Sequence, residues 1–65
     1  MIDNIKMQGI ATVDPVKKMS AIDTLETYGN NLAIDAILAI ITSTSRSEVH
    51  THGNEAIQRI KSSMT

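Results

Sequence analysis

Apolar and polar positions follow a helical period in three stretches of the chain. From Pro15 to Tyr28, the residues Met19, Ala21, Ile22, Leu25 and Tyr28 share one side of a wheel drawn at about 100° per residue, with Lys18 and Glu26 at its edges. Asp14 offers a side-chain cap, and Pro15 suits a first helical position where no N–H is needed. Asp14 also stands four residues before Lys18, a mildly favourable spacing. Gly29 stops the pattern, as glycine does just past a helix C-terminus. The first predicted helix is 15–28.

Asn30-Asn31 can cap a second helix. From Leu32 to Ile41, apolar residues cover roughly two-thirds of the circumference, broken by a narrow polar strip at Asp35 and Thr42. A helix apolar nearly all round must be surrounded. Two other helices of a 65-residue chain can cover part of it, and a second subunit is expected to cover the rest. Ala33, Ala36 and Ala39 allow a neighbouring helix to come close.

Thr42 to Ser47 is a hydroxyl-rich turn, and Ser45 with Glu48 reads as a capping box. Beyond it, Val49, Gly53, Ala56, Ile57, Ile60 and Met64 keep one stripe about 100° wide. Phase is kept across Gly53, so one helix over 46–63 is predicted, with Gly53 on its buried side. The alternative is a break at His52-Gly53-Asn54. Glu55 and Arg59 add an i, i+4 pair.

Residues 1–13 fit neither a helix nor a strand period throughout, and Gly9 and Thr12 weaken a helix. Ile2, Ile5, Met7, Ile10 and Val13 are too apolar for a plain linker. The segment reads as an arm that packs on something.

Composition sharpens this picture. At 65 residues there is room for one domain, and so short a chain usually needs a staple. Cysteine is absent, which removes disulfides and zinc–thiolate sites and leaves oligomerisation. There is no Phe or Trp, and Tyr28 is the one aromatic. Ten Ile, three Leu and four Met must pack the core, which suits helices. The expected fold is therefore all-α: a helical hairpin or three-helix unit over 14–65 with an N-terminal arm over 1–13. Assembly is expected through Leu32, Ile34, Ile37, Ile41, Val49, Ile57 and Ile60.

Net charge is -1, with no run of one sign and no aromatic platform, so nucleic acid is an unfavoured partner. The longest apolar run has ten residues, about half a membrane span, and the N-terminus lacks the charged and apolar regions of a signal peptide. No membrane partner and a cytoplasmic location are expected.

Candidate chemistry is sparse. His50 and His52 would diverge by roughly 200° on a helix and could not share one ion, although on a loop or strand they could. At an interface they would confer pH dependence. Asp35 in an apolar helix reads as a register-setting residue, a ligand anchor, or a solvated side chain beside Thr42. Lys17 and Lys18 could hold an anion or form a solvated face. Tyr28 could stack on a ligand or close a helix corner. Neither a nucleophile–base pair nor a phosphate loop is visible, so no enzyme activity, cofactor or metal is expected.

Ser45-Arg46-Ser47-Glu48-Val49 resembles the start of the second helix of ribbon–helix–helix repressors. The resemblance implies a small DNA-binding dimer with a basic strand ahead of its first helix. Leu25 to Asn31 would take that strand's place, but it holds Gly29, two Asn and no basic residue, and the helix that follows is too apolar. The likeness covers five residues, and we claim no family from it. The expected function is a small non-enzymatic interaction protein (adaptor, inhibitor or regulatory subunit) working as a helical homo-oligomer on another protein. The alternatives are an oligomer holding a small anion between subunits, with Lys17, Lys18, Tyr28 or His50, and a DNA-binding repressor.

Overall fold

A computed structural model describes residues 1–64. Four helices follow in order: α1 Ile2–Ala11, α2 Pro15–Glu26, α3 Asn31–Thr42 and α4 Ser47–Met64. Among the described residues there is no strand. The fold is all-α, with one helix more than the periodicity predicts.

Helices α2 and α3 form the middle of the molecule. Helix α1 packs on both from one side and α4 packs on both from the other, so α1 and α4 do not touch. The core is aliphatic: Ile22 and Leu25 from α2, Ile37 and Ile40 from α3, and Val49 and Ile60 from α4 are buried.

The helix boundaries have local causes. Asp14 accepts a hydrogen bond from the Val16 amide at 2.9 Å, and Asn30 accepts one from the Ala33 amide at 2.8 Å. Helix α2 ends at Glu26, two residues before the predicted end, and Gly29 then takes φ 63°, the left-handed value that reverses the chain. Tyr28 lies in that turn, partly exposed.

Helix α4 is continuous through Gly53, which is buried. A Cβ there would collide with Ile41 Cγ2 and lie 3.3 Å from Ile37 Cγ2, so the missing side chain is what lets α4 approach α3. The Ser45–Glu48 capping box is not formed. Helix α4 starts at Ser47, and the Thr44 hydroxyl accepts from the Arg46 amide instead. Arg59 reaches Glu26 on α2 rather than Glu55 on its own helix.

The arm is helix α1. Ile2, Ile5 and Gly9 recur at helical spacing, with both isoleucines packed against the core and Gly9 buried. This overturns the expected interface. Ile34, Ile37, Ile41, Val49, Ile57 and Ile60 are covered by their own chain. The surface of α3 that a second subunit was needed to hide is covered by α1. Of the seven predicted interface residues, Leu32 alone is exposed.

Candidate functional site

Two features stand out against the aliphatic core: a buried cation within it and an exposed apolar face. Lys18 is 3% exposed, the one charged residue in the interior among the described residues. Its ammonium donates to the Gly9 carbonyl at 2.9 Å and to Ser43 Oγ at 2.8 Å, and Ser43 Oγ donates in turn to the Ile40 carbonyl. Among the described residues no carboxylate pairs with it. The physical substitute is a pair of helix ends. Gly9 lies in the last turn of α1, and Ser43 is the C-cap of α3. A helix C-terminus carries about half a negative charge, so two of them supply roughly what one carboxylate would.

This corrects the reading of Lys18 as a solvated or anion-holding residue. It is a structural pin joining α1, α2 and α3. The signal was in the sequence: Lys18 stands four and seven residues before Ile22 and Leu25, in the buried stripe.

Lys17 points elsewhere. It lines a groove of about 350 Å³ between α1 and α2, with Ile5, Gln8, Thr12, Ser20 and Thr24. The other ligand candidates are scattered. Tyr28 sits in the α2–α3 turn. The His50 ring donates from Nε2 to the Thr44 carbonyl at 2.6 Å, closing the start of α4. His52 meets Asp23 on α2 at 2.6 Å, so the two histidines engage different neighbours. No group of three metal-binding side chains occurs among the described residues.

The apolar face lies on α3 beside α1. Leu32 is 65% and Leu38 43% exposed, and Asp35 between them is also exposed. Leu32, Asp35 and Ala36 share a shallow groove with Ile2, Asp3 and Lys6 of α1. The face thus combines leucines with both signs of charge.

A charged seam ties α4 to α2. Arg59 grips Glu26 with Nε and Nη2 at 2.8 and 3.0 Å, and His52 with Asp23 extends the seam. The hydrogen bonds from Arg59 hold the Glu26 carboxyl below its ordinary range against the opposing effect of partial burial, with the charges of Arg59 and His52 assisting.

Compared with known proteins, the chain matches no family model, no curated protein and no solved structure. The ribbon–helix–helix likeness gains no structural counterpart, because Leu25 to Asn31 forms a helix end and a turn. No helix among the described residues is long and apolar enough to cross a membrane.

Proposed function

We propose that this is a small non-enzymatic interaction protein, working as a homo-oligomer and presenting the outer strip of α3 to a partner protein. The observation that carries the reading is the exposure of Leu32 and Leu38 on either side of Asp35, in a helix whose isoleucines are all buried. Leucines flanked by charge supply an apolar anchor with a polar rim, the usual anatomy of a protein interface. Asp35 stands between the two leucines, where its charge directs partner choice.

The test is site-specific photo-crosslinking in cells. A crosslinking side chain at Leu32 should give one discrete protein adduct, and the same group at the exposed Lys61 should give none. Leu38→Lys should remove the Leu32 adduct without changing helicity. Equal labelling from both sites, or no adduct from Leu32, contradicts the reading.

The groove beside Lys17 favours a second reading: a small aliphatic carboxylate held within one subunit. Its lone charged side chain is a cation, Ile5 and Ala21 give it an apolar floor, and threonine and serine hydroxyls surround it. Titration with hexanoate should shift the amide resonances of Gln8, Lys17 and Thr24. Unmoved resonances exclude it.

A further inference from the structure

We propose that α1 exchanges between two copies of the chain, each copy's α1 seating in the other's α2–α3 groove. The proposal rests on the self-association included in the functional reading above and supplies its mechanism.

Helix α1 is the separable element. It touches α2 and α3 but not α4, and its one fully buried residue is Gly9. A helix of ten residues with an interior glycine is not stable in water by itself, so α1 is helical because it is docked. It joins the rest of the chain through Thr12, Val13 and Asp14 alone.

The groove under α1 accepts few other helices. A Cβ at position 9 would stand 2.6 Å from Ile40 Cδ1 and 3.2 Å from Ala21 Cβ, so the occupant needs glycine there. Lys18 needs a carbonyl from that same turn, with the occupant's C-terminus directed at its ammonium. A second copy's α1 meets both demands without change. Exchange therefore preserves every contact across the groove.

The residues at the hinge say why exchange gains something further. Ile10, Val13 and Val16 recur every third position across the link, and all three are exposed, Val13 by 93% and Val16 by 63%. A three-residue link spans at most about 10 Å, so two chains that trade α1 must bring their hinges side by side. That juxtaposition places these side chains of the two copies against each other and takes them out of water. Exchange of an identical element through a short hinge is a low-cost route to a dimer.

The experiment mixes isotope-labelled and unlabelled full-length chains, unfolds them together, and refolds them at millimolar concentration. Native mass spectrometry reads the subunit number, and an isotope-filtered NOE spectrum reads whether Gly9 of one chain lies against Ile40 of another. A dimer with the Gly9–Ile40 NOE between chains is expected. The double variant Val13→Asp, Val16→Asp should keep its helicity while its dimer affinity falls about tenfold or more, the factor that 1.4 kcal/mol of lost burial gives. Aspartate at position 16 lies in the first turn of α2, where negative charge is favoured, so closed monomers should not be weakened. A dimer with the NOE only within chains would overturn exchange and leave self-association standing. A monomer at millimolar concentration would overturn both.

Discussion

The Lys18 ammonium lies 2.8 Å from Ser43 Oγ, in a buried position that no carboxylate among the described residues shares. Together with the bond to Gly9 it fixes the C-terminal ends of α1 and α3 to the first turn of α2. One side chain thus ties three helices together.

Replacing Lys18 by Met keeps the side-chain volume and removes the charge. The Gly9 carbonyl and the Ser43 hydroxyl then lose a buried donor. A stability loss of about 1–3 kcal/mol is expected in urea denaturation. Ser43→Ala, which leaves the bond to Gly9 intact, should lose less. Equal stability of wild type and Lys18→Met would show that the pin contributes nothing.

Gly53→Ala should be destabilising although alanine is the better helix former. The propensity gain is about 1 kcal/mol, whereas forcing a Cβ into Ile41 and Ile37 costs up to about 3 kcal/mol. Both obstructing groups are methyls on β-branched side chains, which have little rotamer freedom in a helix. A net loss of roughly 1–2 kcal/mol is expected, read from the thermal midpoint. A rise in midpoint would mean that α3 and α4 stand further apart.

Continuity through Gly53 was legible because Val49, Ala56, Ile57 and Ile60 keep phase on both sides of it. The caps at Asp14 and Asn30 and the stop at Gly29 were legible for the same kind of reason, since each is a local property of the chain. Helix α1 was not. Its pattern is weak because Met7 and Ile10 face solvent while Gly9 faces the core, the reverse of what hydrophobicity suggests. Without α1, the apolar girth of α3 calls for a covering subunit. Of the candidate site, Leu32 stands among the seven residues expected at an interface and is exposed, whereas the sequence does not single out Leu38 beside it. A helix wheel cannot say which arc of an almost wholly apolar helix a neighbour leaves open.

Glu26 predicts a pH dependence. Its folded carboxyl titrates below the unfolded value because Arg59 holds the charged form. The contribution is therefore complete above the ordinary glutamate range and is lost as pH falls through the lowered folded value. In that window the unfolded chain binds more protons, so stability should rise with pH. Glu26→Gln should flatten the slope of urea midpoint against pH there. An unchanged slope would assign the dependence to other carboxylates.

Ile37→Asp should unfold the chain outright. The side chain is fully buried beside Gly53 in the aliphatic core, where a carboxylate would lose its hydration. Circular dichroism should show a coil spectrum, whereas Leu38→Asp on the outer strip should retain native helicity. Native helicity in Ile37→Asp would contradict the core assignment.

Helix α1 completes the core that Leu32 to Ile41 requires. Amide hydrogen exchange at Ile37 and Ile40, compared at micromolar concentration between the wild type and Gly9→Leu, tests it most directly. The wild-type amides should be strongly protected, and the leucine, unable to pass Ile40, should speed their exchange about tenfold or more, the equivalent of at least 1.4 kcal/mol. Identical exchange in the two chains would mean that α1 does not seal this core.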